Sequence, residues 1–118
     1  MLAMIGATDL TKKIEDNSYA IESEDEFIEW KDGNSKKHRV YVKSRAKGTF
    51  NIICDKRLGM SSSEFLSLVK ENTENNAVMI TCWINNKAEY RTLSAYTKIT
   101  VKKHTDTTDI FSIELEER

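Results

Sequence analysis

Apolar and polar residues alternate with a period of two over most of this chain, the pattern of β-strands that bury one face. Two such runs, Glu26 to Lys31 and Lys37 to Arg45, flank the turn-forming sequence Asp32-Gly33-Asn34-Ser35. The alternation and the turn together predict a β-hairpin. If the aliphatic residues share one face, the opposed residues make favourable aliphatic, charged and aromatic pairs. These pairs are Ile28 with Val40, Glu29 with Arg39, and Phe27 with Tyr41.

The remaining alternating runs predict five further strands. Their bounds are Thr49 to Cys54, Ala77 to Ile84, Ala88 to Leu93, Thr97 to Lys102 and Ile110 to Leu115. We interpret Ala46-Lys47-Gly48 as a short turn before the first of them. The second and third form a hairpin, and its apolar face carries Val78, Ile80, Cys82 and Ile84. The last two strands pair so that Ile99 faces Ile113, Val101 faces Phe111, Thr100 faces Ser112 and Lys98 faces Glu114.

One segment follows helical spacing instead. Ser61 and Glu64 form a capping box, in which each side chain bonds the other residue's backbone N–H. Met60 and Phe65 stand at the positions of a hydrophobic staple, and Phe65, Leu68 and Val69 share one face. We therefore predict one central α-helix near residues 61–74. A short N-terminal helical turn over Asp9 to Asp16 is a weaker prediction, with Thr8 as its cap.

This order of elements indicates the fold class. Strands do not alternate with helices, so a doubly wound parallel sheet is not expected. We predict an α+β fold that is mainly antiparallel, a curved sheet or small barrel of about six to eight strands with the helix at one end. The 118 residues are enough to bury a core as a single domain spanning residues 1–118.

Composition narrows the function classes. The chain has 18 basic and 19 acidic residues, so it is not a uniformly basic nucleic-acid binder. Cys54 and Cys82 each lie in an apolar run, which indicates buried thiols in a reducing compartment, with an inter-strand disulfide as the alternative. No apolar stretch is long enough to span a membrane, and the N-terminus lacks a basic signal-peptide region. We expect a cytoplasmic protein, and the excess of Lys over Arg suggests a bacterial or phage genome rich in A and T.

No residue pattern indicates catalysis or metal binding. The chain has no P-loop, G-x-G-x-x-G, G-x-S-x-G or H-E-x-x-H sequence. His38 and His104 are too far from the two cysteines in sequence to form the local ligand pairs of a zinc site. We interpret Asp106 and Asp109 as part of a solvated turn. We therefore predict no enzymatic activity, no cofactor and no metal.

The most distinctive surface feature is a basic stripe, in which alternate residues of one predicted strand would share a face. Its members are Lys37, Arg39, Tyr41, Lys43, Arg45 and Lys47. These charges, with a tyrosine among them, would suit a phosphate backbone or an acidic protein surface. Acidic residues from Glu22 to Glu29 precede them and indicate a third interpretation, a solvated face with its charges neutralised internally. The sequence leaves all three interpretations open.

Met79 and Trp83 form a second unusual feature, because they face away from the apolar stripe of their own strand. We favour packing of the helix over them. The alternative is an exposed apolar patch that contacts a partner or a second copy in a homodimer.

These observations favour a non-enzymatic binding protein that acts through a surface on another macromolecule. An inhibitor, an immunity protein, an adaptor or a structural subunit would each fit. We expect a protein partner, with a nucleic-acid-binding module that uses the basic stripe as the alternative. A membrane partner is not expected.

Overall fold

The computed structural model describes residues 3–118, and Met1 and Leu2 of the predicted domain lie outside the described residues. Eight strands form one antiparallel sheet around a single α-helix in this part of the chain. The strands are β1 (Ala3–Ile5), β2 (Thr8–Asp9), β3 (Ala20–Lys31), β4 (Lys37–Asp55), β5 (Thr73–Glu74), β6 (Ala77–Ile84), β7 (Glu89–His104) and β8 (Thr108–Glu117). The helix is α1 (Ser62–Glu71), and short 3₁₀ turns cover Thr11–Lys13 and Lys56–Leu58.

The sheet is open and strongly curved. Its strand order is β2-β1-β6-β7-β8-β4-β3, with β5 beside β6. The two sides approach each other where Asn85 N–H donates to Ile21 O at 2.9 Å. The Asn86 amide also bonds Ser23 N and O, at 2.8 and 2.7 Å. These contacts do not continue as a ladder, so the curved sheet and not the closed barrel is the form observed, and the predicted α+β class is confirmed.

The predicted hairpin registers are confirmed. Ile28 lies opposite Val40, and its neighbours pair as predicted. The apolar face of β6 is buried in the core, as the alternation indicated. The β7–β8 pairs are also those predicted, including Ile99 with Ile113 and Lys98 with Glu114. Register is predictable here because a shift by one residue would move every apolar side chain to the wrong face.

Two predicted strand breaks are wrong. The Ala46-Lys47-Gly48 segment is not a turn but the interior of β4. Gly48 is there because β3 passes very close: a Cβ atom at this position would lie 2.0 Å from Ala20 O. Likewise β7 is one strand where two were predicted, since it leaves its pairing with β6 and continues along β8.

The helix prediction is confirmed with a shorter C-terminus. Ser61 Oγ accepts a hydrogen bond from Glu64 N at 3.3 Å, which fixes the start of α1. Met60 and Phe65, the two residues of the predicted staple, are both buried in the core. The N-terminal helical turn is reduced to Thr11–Lys13, because the preceding Thr8–Asp9 belongs to a strand.

Both cysteines are buried and reduced. Cys54 lies on β4 and Cys82 on β6, strands separated in the sheet by β7 and β8, so the disulfide alternative between adjacent strands is wrong. Burial raises the pKa of each thiol to about 11, which keeps both protonated at neutral pH. Among residues 3–118, no helix has both the length and the apolar character needed to cross a bilayer.

Candidate binding surface on a hairpin arm

The β3–β4 ladder extends beyond the rest of the sheet. Strand β8 reaches β4 only as far as Lys47, and the Asn85-Asn86 turn reaches β3 only as far as Ser23. Residues 24–45, which we call the hairpin arm, therefore pair with no other strand in the described part of the chain. The molecule measures 66 × 30 × 22 Å, an elongation in keeping with such a projection.

The hairpin arm is unusually apolar for a ribbon that is exposed on both faces. It carries six of the twelve large apolar side chains that are exposed among residues 3–118, each between 38% and 59% accessible. They are Phe27, Ile28, Trp30, Val40, Tyr41 and Val42. A two-stranded ribbon has no core of its own, so these side chains remain in water unless another molecule covers them.

A β-bulge divides the predicted basic stripe between two faces. Phe27 pairs with Tyr41, whereas the preceding residue Glu26 pairs with Lys43, so β4 contains one extra residue, Val42. Successive residues of β3 point to opposite faces, and their partners on β4 do the same. The prediction that all six residues share one face is therefore wrong. Lys37, Arg39 and Tyr41 lie on the face that continues the core side of the sheet, and Lys43, Arg45 and Lys47 lie on the other.

Most charges of the stripe are already paired within the arm and its base. Lys37 Nζ and Arg39 Nε lie 3.3 and 3.4 Å from the Glu29 carboxylate. The Arg39 guanidinium also lies 3.6 Å from the centroid of the Phe27 ring. In the same way, Arg45 Nε is 3.3 Å from Glu26 and Lys47 Nζ is 3.3 Å from Glu24. This geometry favours internal neutralisation over phosphate binding, because phosphate would have to displace these carboxylates.

A network of polar contacts orders the tip of the arm. Asp32 Oδ1 accepts hydrogen bonds from Asn34 N at 2.9 Å and Lys36 N at 3.0 Å. Asp32 Oδ2 lies 2.8 Å from His38 Nε2, and the His38 ring stacks on Trp30 with 5.3 Å between centroids. The aspartate thus positions both the turn and the aromatic stack.

We expect this tip to lose order in acid. The His38 contact, followed by the two backbone N–H bonds, lowers the pKa of Asp32 below its ordinary value. A depressed folded-state pKa stabilises the tip above the unfolded value of about 3.9, and that stabilisation is lost as the pH falls further. In a Trp83→Phe variant, where Trp30 is the sole tryptophan, fluorescence should change as the pH falls below about 4. Adding Asp32→Asn should abolish this acid transition, and an identical transition in both variants would contradict the assignment.

The helix does not cover Met79 and Trp83, so the prediction that it packs over them is wrong. The alternative, an exposed apolar residue, describes Met79. Met79 is 45% exposed, and Trp83 packs edge-on against Tyr90 with 4.8 Å between ring centroids. The helix packs on the opposite side of the sheet, where Phe65 lies in the core against Phe111. The sequence pattern could not show which side the helix covers, because that depends on the path of the whole sheet.

The fold also assembles a polar cluster that the sequence does not suggest. Ser62 Oγ donates to Asp109 Oδ2, and the other oxygen of this carboxylate contacts His104 Nδ1. Its members have no motif spacing, since Ser62 and Asp109 are 47 positions apart. Hydrolytic triads place the histidine between the serine and the carboxylate, whereas here the carboxylate stands between them.

The electrostatics of this cluster also differ from those of a catalytic base. The Ser62 hydrogen bond, and then the His104 contact, lower the pKa of Asp109, so it is a poor proton acceptor. In the described chain, no group of three or more histidine, cysteine or acidic side chains is arranged to hold a metal ion. The cluster joins the first residue of α1 to the end of β7 and the start of β8.

The hairpin arm combines three properties: it projects from the sheet, it exposes apolar side chains, and most of its charges are paired internally. No protein-family model matches this chain, and no curated protein shows significant similarity to it.

Proposed function

We propose that this is a non-enzymatic binding protein and that the hairpin arm is its binding surface. The observation that carries the proposal is the set of six exposed apolar side chains on a ribbon with no other strand beside it. These side chains are already about half covered, so burying the rest contributes about half of the 1.5–3 kcal/mol that full burial of an exposed apolar side chain is worth. A macromolecular partner would therefore stabilise the arm, and the arm would supply much of the binding energy.

A protein partner fits this surface better than a nucleic acid. The arm contains six basic and five acidic residues, so its net charge is close to neutral. Four of the five cations in the stripe are paired with carboxylates. Apolar side chains between paired charges are typical of the centre of a protein–protein interface.

An inhibitor, immunity, adaptor or structural-subunit role belongs to this proposal, as do a bacterial or phage origin and a cytoplasmic location. Two free cysteines that serve as buried core residues suit a reducing compartment. The exposed Met79 is a secondary contact candidate, with Trp83 beside it on the same face of β6.

A photo-crosslinking amino acid placed at Trp30 or Val40 tests the proposal in extracts of the source cell. We expect crosslinked protein at both arm positions. The matched control is Leu58, which is 66% exposed, lies off the arm and should give no specific product. Equal crosslinking at Leu58, or none at the arm positions, would contradict the proposal.

Oligonucleotides in a salt series test the nucleic-acid alternative. If that alternative holds, single-stranded or duplex oligonucleotides bind at low salt, and Arg39→Gln with Lys43→Gln flattens the salt dependence. We expect no such binding, because Arg39 is already bonded to Glu29.

A further inference from the structure

We infer that the hairpin arm binds the hairpin arm of a second copy of this chain, edge to edge, in a continuous antiparallel sheet. This inference rests on the proposed function and names the partner. Three features of the arm carry it: its two free edges, the separation of charge between its strands, and the register of its apolar residues.

Both edges of the arm become free within one residue of the same level. Ser23 is the last residue of β3 whose outer backbone groups are bonded, through the Asn86 amide. Lys47 is the last residue of β4 that pairs with β8. The free backbone therefore begins at Glu24 on β3 and at Ala46 on β4, one residue before Arg45, which lies opposite Glu24. Side-chain ion pairs of Asp25 with Lys87 and of Arg45 with Glu116 lie at this base, and beyond them each arm offers two free edges of nearly equal length.

The two edges carry opposite charge. In the arm, β3 contributes four acidic residues and one lysine, whereas β4 contributes only basic charges. On the solvent-side face, Glu24 and Glu26 form an acidic row, and Lys43 and Arg45 form a basic row. Two β3 edges, or two β4 edges, would bring like charges together, which is unfavourable across strands. Charge complementarity therefore favours β3 of one copy beside β4 of the next.

The apolar residues match in the same arrangement. When two arms lie side by side and point the same way, β3 of one runs antiparallel to β4 of the other. When the two arms are aligned with no shift along the strand direction, Ile28 of one copy lies beside Val40 of the next, and Phe27 lies beside Tyr41 of the next. These are the pairs that already stabilise the hairpin. The bulge at Val42 interrupts the β4 edge, so we expect backbone pairing on either side of it, over 37–41 and 43–45.

The contact is heterologous, because each copy uses one edge to bind and presents the other to a further copy. Such contacts continue into rings or chains and do not close as a two-fold dimer.

Among the described residues Lys43 makes no ion pair within its own molecule, and in the assembly it would meet Glu26 of the neighbour.

Sedimentation velocity with charge-swapped variants tests this inference. The acidic edge is reversed by Glu24→Lys with Glu26→Lys, and the basic edge by Lys43→Glu with Arg45→Glu. We expect the wild type to form species larger than a dimer, weakened by salt. Each single-edge variant should associate about tenfold or more weakly, because like charges then meet where residues 24 and 26 of one copy face residues 45 and 43 of the next. Mixing the two single-edge variants should restore assembly, because each then offers the charge that the other lacks.

A variant with all four substitutions guards against misfolding, because positions 24 and 45, and positions 26 and 43, keep opposite charges across the hairpin and only the contacts of Glu24 with Lys47 and of Arg45 with Glu116 are lost. It should assemble with itself and not with the wild type. A wild type that stays monomeric at all concentrations and at low salt would overturn the inference, as would assembly that ignores the charge reversals. If the arm still crosslinks to a different protein, the binding function stands and only the self-association fails. A monomer without any arm crosslink would overturn both.

Discussion

Replacing Phe65 with alanine should lower the free energy of unfolding by about 3–5 kcal/mol. Phe65 is completely buried, with its ring centroid 5.3 Å from that of Phe111. It is the only buried residue of α1, and a ten-residue helix is not stable in water without tertiary packing. The substitution therefore removes the main contact between the helix and the sheet. Urea denaturation followed by circular dichroism measures the loss, and thermal unfolding should shift by about 10–20 °C.

Leu66→Ala is the matched control for this prediction. Leu66 is the next residue of the same helix, is also large and apolar, and is 46% exposed. We expect a change below about 1 kcal/mol, because little apolar surface returns to water. Similar losses in the two variants would show that α1 is not held by its contact with Phe111.

Gly48→Ala should destabilise the protein by about 3 kcal/mol or more. The new methyl group would collide with backbone atoms, which cannot move aside as a flexible side chain could. The added Cβ would lie 2.0 Å from Ala20 O and 2.6 Å from Ile21 Cα. Both atoms belong to the backbone of β3, so the two strands would have to separate at the base of the hairpin arm. Urea denaturation measures the loss, and faster amide exchange along β3 should accompany it.

Gly33→Ala provides the control. Gly33 lies in the turn of the same hairpin, and no atom lies within 4 Å of the place that its Cβ would take. The expected change is within about 0.5 kcal/mol. An equally mild change for Gly48→Ala would contradict the close backbone contact between β4 and β3 at this position.

The hairpin arm itself was largely predictable, because its stability depends on residues close in sequence. The Asp32 to Ser35 turn fixes which residues oppose each other, and alternation then selects the register that pairs Ile28 with Val40. The start of α1 was predictable for the same reason, since Ser61 caps an N–H group only three residues away. Capping bonds and hairpin pairs form between near neighbours, so a short window of sequence contains both partners.

The candidate site was predicted in composition but not in geometry. The six residues of the basic stripe do lie on the arm and its base, yet the extra residue Val42 turns half of them to the other face. Alternation cannot reveal this bulge, because both Val42 and its neighbours fit a regular strand. The pairing of Arg39 with Glu29 could be read from the hairpin register, whereas the contact between Ser62 and Asp109 could not.

The sequence by itself determined the registers of the hairpins, most of the longer strand segments and the start of the helix, since period-two patterning, turn residues and capping act over a few positions. Only the tertiary structure decided that Met79 stays exposed, that β4 runs through Gly48 and that the arm stands free. The arm is free because β8 and Asn86 stop pairing at its base, and these partners are more than 60 positions away in sequence. Such distant contacts depend on how the whole sheet curves, which no local pattern records.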